Sequence, residues 1–324
     1  MKVGTTQPGS QKAAERPDEC MDGGTIDVGS LRGGLDLQAT VESGQSYLWW
    51  RESGPTYADE THAGSDAWYR TTVRDGTGPA LCRARQVDGR LEWEATADVE
   101  NRLRRRLGLD DDLVAIRDAT PDDDLIEAAY DAFRGLRIVR DPPFPTLVTF
   151  ICSAQMRVAR IHAMQQALRE SLGTALTVGG ETFHAYPTPE QVAATSEAEL
   201  RDLGLGYRAP YVLESARMVA AGEADPAAAA DLPYEAARDF LTQFVGVGDK
   251  VADCVCLFSL DFLEAVPLDT WIQGAIADHY PDCERDSYAA TSRAIRERFG
   301  PYAGYAQTYL FHYLRTGLAT ESGG

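Results

Sequence analysis

The chain has 324 residues, 44% hydrophobic and 25% charged, ordinary globular values that leave room for two domains, each with its own core. Its 50 Asp and Glu against 31 Lys and Arg give a net charge of −19, which normally argues against a nucleic-acid partner because phosphate affinity rests on basic patches. No run approaches the roughly eighteen apolar residues of a membrane span, residues 1–20 lack the apolar core of a secretory signal, and six scattered cysteines form no CxxC or Cys/His cluster for zinc or iron–sulfur.

Residues 1–34, rich in Gly, Pro, Ser and charge, read as a disordered polar tail. From 35 to 118 the segments LDLQATV, QSYLWW, AWYRTTV, ALCRARQV and RLEWEA alternate between Gly, Asp and Ser breaks, predicting antiparallel strands, and residues 97–117 turn helical. At TPDDDL, Thr120 suits an N-cap, Pro121 the first helical position, and Asp122 to Asp124 the first turn. Everything from 119 to 324 then reads as helices separated by Gly or Pro. The predicted fold is α+β: a β-rich N-terminal domain feeding a larger all-helical one. Reduced thiols, a cytoplasmic setting and no metal are expected.

The lysine pattern changes the reading of the charge. Beyond Lys2 and Lys12 the only lysine is Lys250. An acidic, lysine-poor surface suits a halophilic protein dissolved in concentrated salt. At about 1 M salt the Debye length is roughly 3 Å, so net charge does not veto DNA there.

Lys250 directly follows a Gly-Val-Gly-Asp turn in QFVGVGDKVADC. One helix should end near Phe244 and another begin at Asp249, with Gly246, Val247 and Gly248 forming a hairpin whose amides can hold a phosphate. Such a helix–hairpin–helix grips DNA without basic side chains. In the first helical turn the macrodipole disfavours a cation by roughly 0.3–1 kcal/mol. That is too little to make an amine nucleophile, so burial or another charge must supply the rest. Nineteen residues on, Asp269 in AVPLDTW should open the next helix as its N-cap. A lysine and a carboxylate brought to one end of a helix pair suggest amine attack beside a negative charge.

These residues resemble the helix–hairpin–helix DNA glycosylases, specifically the 8-oxoguanine DNA glycosylase branch. SGQSYLWW, FICSAQMRVARI, LGLGYRAPYV, GVGDKVADC with VPLDTW, and FGPYAGYAQTYLF follow in the expected order across about residues 35–315. The resemblance implies base flipping, attack of Lys250 on the sugar C1′ through a Schiff base, assistance by Asp269, and β-elimination lyase activity. It implies that Gly44, Gln307, Phe311 and Cys254 hold the damaged base, and that Arg160, Tyr207 and Arg208 meet the orphaned cytosine. Damaged double-stranded DNA is the implied partner of a monomer. No cofactor is required, and the hairpin leaves room for a monovalent cation.

The sequence departs from the family's pattern at four places. Gln155 and Met156 replace asparagines, one of which normally meets the orphaned cytosine. Trp271 replaces a phosphate-contacting histidine, and Asp249 replaces a neutral residue. Two other readings stay open: a glycosylase for alkylated bases in which Lys250 is dispensable, and a non-catalytic DNA-binding module.

Overall fold

The computed structural model describes residues 21–54, 56–57, 66–75 and 78–317. Five antiparallel strands, β1 (Asp22–Asp27), β2 (Trp50–Arg51), β3 (Tyr69–Asp75), β4 (Gly78–Val87) and β5 (Arg90–Ala95), lie in the order β1-β5-β4-β3-β2. The alternation expected of a half-covered sheet is plain in β5, where Leu91, Trp93 and Ala95 are buried. On the other face Arg83 and Arg85 stand opposite Glu94 and Glu92, paired at 2.6 and 2.7 Å. Both guanidiniums lie over the Trp68 ring.

Three expectations for this half need correction. The sheet starts at Asp22, inside the stretch read as a tail, and β1 pairs with β5 over all six of its residues; residues 1–20 lie outside those described. LDLQATV is not a strand but helix α1 (Leu37–Glu42), because Asp36 caps it by accepting the Ala39 amide at 2.9 Å. All six α1 residues are buried, so no helical period shows in the sequence. Of QSYLWW only Trp50 enters a strand.

The remaining helices are α2 (Glu100–Arg106), α3 (Leu113–Ala119), α4 (Asp124–Ala132), α5 (Pro143–Ser153), α6 (Val158–Leu172), α7 (Pro189–Ala193), α8 (Glu197–Leu200), α9 (Ala209–Ala220), α10 (Tyr234–Leu241), α11 (Asp249–Ser259), α12 (Thr270–His279), α13 (Tyr288–Phe299) and α14 (Ala303–Arg315). The predicted start of α4 shifts by three residues. Asp123 caps it through the Leu125 and Ile126 amides, while Thr120 closes α3. The C-terminal half is also not purely helical: β6 (Ala175–Val178) and β7 (Glu181–His184) form a hairpin about Gly179-Gly180.

One core fills the sheet unit and α2, another the helical unit, with Leu113, Ile116, Tyr47 and Leu48 joining the second. Buried polar contacts tie the two units. Arg106 of α2 meets Asp141 at 2.6 Å with both side chains about 95% buried. Arg137, fully buried, donates to the carbonyls of Arg32, Gly34, Gly108 and Asp111 at 2.6–3.1 Å. Among the described residues no helix is long and apolar enough to cross a membrane.

Candidate active site

The hairpin between α10 and α11 forms as the glycines predict. Gly246 has φ +82°, and a Cβ there would meet the Tyr211 ring at 2.8 Å, so only glycine lets α9 pack this close. Helix α11 begins at Asp249 as expected, with Gly248 as its N-cap. Val247 is buried, whereas the backbone at 246 and 248 is exposed.

Residues Val251 to Ser259 of α11 are all buried, which fixes the stem from which Lys250 projects. Its Nζ donates to Ser153 Oγ at 3.0 Å and lies 5.3 Å from the centroid of the Phe150 ring. Ser153 Oγ passes a hydrogen bond to the Phe150 carbonyl at 2.7 Å. Asp249 does not neutralise the ammonium; its carboxylate lies 4.0 Å from Arg238 Nε. A neutral hydroxyl and a ring face thus flank the amine, with Cys254 and the Asp269 carboxylate also within its electrostatic reach.

Asp269 starts α12, its Oδ1 accepting the Ile272 amide at 2.9 Å. Burial raises its pKa above the ordinary carboxylate range, while that amide and the charge of Lys250 pull it down. Cys254, one turn beyond Lys250, is buried, and burial pushes its thiol up to about 12. It is a neutral, soft wall rather than a thiolate.

Behind them Asp253 links two elements. It accepts from Tyr234 at 2.6 Å and from Tyr288 at 2.8 Å, and the Tyr288 oxygen in turn accepts the Leu268 amide at 3.0 Å. The loop that carries Asp269 is thereby fastened to the helix that carries Lys250. Burial raises the Asp253 pKa to about 7. Between the ordinary aspartate range and pH 7 the folded state thus holds more protons than the unfolded. This carboxyl's contribution to stability is complete below about pH 4 and is lost as pH rises through 7. In Asp253→Asn the drop in unfolding free energy between pH 5 and pH 8, read from urea titrations, should shrink by an amount on the order of a few kcal/mol. An unchanged difference between the two pH values would remove Asp253 as its source.

Gly44 follows α1 with φ +96°, and a Cβ there would sit 3.0 Å from Phe311 Cε1 and 3.5 Å from Val158 Cγ1. Phe311 and the buried Gln307 occupy successive turns of α14. Three of the four residues expected to grip a base thus come from α14 and the loop after α1, and the fourth, Cys254, from α11. Gly44→Ala combines backbone strain with a displaced ring and should destabilise by roughly 1–3 kcal/mol, measurable as a lower melting midpoint.

The outer rim gathers most of the remaining candidates. Gln155 is exposed at the α5–α6 turn with φ +54°, while Met156 is partly buried against the helical core. The Arg160 guanidinium lies over Gly204, where a Cβ would be 2.8 Å away, so α6 and the LGLGYR segment meet. Arg208 departs from expectation: it is 3% exposed, stacks on Tyr207 at 4.2 Å and donates to the Ala154 carbonyl. It fixes the rim from beneath. Tyr207, Tyr211, Val245 and Trp271 are four of the five exposed large apolar side chains among the described residues. Three residues here were not singled out from the sequence: Ser153, Tyr211 and Val245. Ser153 lies inside FICSAQ and Tyr211 stands four residues after Tyr207, so helical spacing was the available signal.

Known proteins share this sequence pattern and fold. The model of the HhH-GPD superfamily of base excision DNA repair proteins matches residues 148–301. A probable N-glycosylase/DNA lyase of Methanothermobacter thermautotrophicus is 32% identical over 88% of this chain and 96% of its own. The N-glycosylase/DNA lyase of Saccharomyces cerevisiae is 28% identical over 86% and 82%. A solved 8-oxoguanine glycosylase/lyase of Clostridium acetobutylicum, in complex with dsDNA containing cytosine opposite 8-oxoG, superposes with a TM-score of 0.76 at 26% identity, covering 88% of this chain and 93% of its own. The chain belongs to the HhH-GPD superfamily of base excision DNA repair proteins.

Proposed function

We propose that the protein is a DNA N-glycosylase with AP lyase activity that removes 8-oxoguanine from duplex DNA, with Lys250 as nucleophile. The observation that carries this reading is the approach of Lys250 to Ser153, with Asp269 capping the neighbouring helix and Gly44 facing Phe311. The neutral amine bonds to C1′ as the bond from C1′ to the base nitrogen breaks, and the base leaves with the electron pair and takes up a proton. Opening of the sugar ring gives the Schiff base, and loss of a C2′ proton then expels the 3′ phosphate. The Asp269 carboxylate opposes positive charge developing on the sugar.

The flipped base stacks on Phe311 with Cys254 on its other side, and Gln307 reads its Watson–Crick edge. The Gly44 carbonyl accepts N7–H of 8-oxoguanine; guanine has a lone pair there and leaves the acceptor unpaired. The exposed hairpin at 246–248 holds backbone phosphate through its amides, which suits a chain of net charge −19. Arg160, Tyr207 and Gln155 face the space the base vacates, and Trp271 supplies an indole N–H at the rim. The enzyme acts as a monomer on damaged DNA in the cytoplasm, without a cofactor.

The test is borohydride trapping on duplexes carrying 8-oxoguanine or guanine opposite each base in turn. A covalent adduct with the lesion alone supports the reading, and the opposite-base series measures how far Gln155 and Met156 relax the preference for cytosine. Lesion duplex that is bound, never trapped and keeps its base would overturn catalysis and leave a binding module.

A further inference from the structure

Between the sheet and the helical unit lies a cavity of about 260 Å³ that neither Lys250 nor Asp269 lines. Its walls include Trp50, Phe144 and Tyr186, with Gln165 and Arg169 reaching in from α6. Gln165 is 1% exposed; its Oε1 accepts from the Tyr186 hydroxyl at 2.7 Å, and its Nε2 has no partner. Arg169 is 8% exposed, with its guanidinium 3.5 Å from the centroid of the Trp50 ring.

The other buried arginines each have at least one acceptor in the protein. Arg106 has Asp141, Arg238 has Glu235, and Arg137 and Arg208 have backbone carbonyls. Among the described residues Arg169 has neither a carboxylate nor a carbonyl within hydrogen-bonding distance. Burial and the nearby Arg70 both lower its pKa, which comes down to about 10, only partly offset by Glu170. A buried guanidinium and an orphaned amide four residues apart on one helix face lack an acceptor. At about 260 Å³ the cavity lies near the lower end of the sizes that take small ligands, roughly 300 Å³ and up, which suits one ring with a small substituent.

We propose that this cavity binds a single-ring aromatic carboxylate. Its oxygens accept from Arg169 and Gln165 Nε2, and its ring lies among Trp50, Phe144 and Tyr186.

Calorimetric titration and thermal melting of the full chain with benzoate, benzamide and inorganic phosphate, at constant ionic strength, test this. Benzoate should bind saturably with one site per chain and raise the Tm by a few degrees at about 10 mM. Benzamide and phosphate should leave the Tm unchanged. Arg169→Met should abolish binding and Gln165→Leu should weaken it by roughly tenfold, whereas Lys250→Gln should retain it. Equal shifts with benzamide would mean an apolar void without an anion site, and equal shifts with phosphate would remove the ring. Loss of benzoate binding in Lys250→Gln would place it in the active site. Each of these overturns the proposal, and the benzamide and phosphate arms do so on the unaltered protein even if a variant fails to fold.

Discussion

Lys250→Gln should give no covalent adduct on borohydride treatment of a lesion duplex, and its single-turnover base release should fall by about a thousandfold or more. A loss of that size corresponds to roughly 4 kcal/mol of transition-state stabilisation, a fair share for a covalent route that splits one difficult substitution into two steps. Glutamine keeps the stem packed beside Phe150 and a donor for Ser153 Oγ, so duplex binding should survive. The two readouts then separate chemistry from recognition. A variant that still releases the base at a near-normal rate would move the reaction to Asp269 and water, the behaviour of a glycosylase that needs no lysine.

Arg137→Met should cause the largest loss of stability, about 3–5 kcal/mol. At this chain length that corresponds to a fall in Tm of roughly 4–7 °C. The guanidinium is wholly buried and makes five hydrogen bonds to four carbonyls. Methionine fills much of the same space but leaves the Gly34 and Asp111 carbonyls without a donor, while those of Arg32 and Gly108 keep only the Leu113 and Asp111 amides. The effect should reach the proposed base-binding residues as well. Gln45, next to Gly44, donates to the Arg137 carbonyl at 2.7 Å and accepts the Val139 amide at 2.9 Å. Urea unfolding would measure the first effect and lesion affinity the second. A loss below about 1 kcal/mol would mean that water replaces the guanidinium.

What could be read from the sequence follows from how local each signal is. Strands β3, β4 and β5 alternate on one half-covered sheet, so a period of two identifies them. Helix α1 is buried all round and betrays no period, and Asp36, the only clue to its start, also reads as loop punctuation. Strand β1 buries Ile26 alone among its six residues, so it resembles a polar tail until β5 is placed beside it. The β6–β7 hairpin did carry a signal, a Gly-Gly pair between alternating segments, obscured by the helices on both sides. In the site, Lys250 was conspicuous by scarcity and Asp269 by its position ahead of a helix. What brings them together was not legible. Ser153 lies 97 residues from Lys250, and Gly44 meets Phe311 across nearly the whole chain. Arg208 shows the opposite limit, since sequence spacing cannot tell a rim arginine that faces outward from one turned inward onto a carbonyl.

The cap on α12 means that one side chain answers to two masters. The oxygen that receives the Ile272 amide belongs to the carboxylate that feels the charge of Lys250, so the helix cannot slide or unwind at its first turn without carrying that carboxylate away from the amine. Asparagine is as good a cap as aspartate, and Asp269→Asn therefore deletes the charge while leaving the hinge of the helix in place. Alanine removes both at once. Comparing the two substitutions turns a single position into an internal control, dividing what Asp269 does for the architecture from what it does for the reaction.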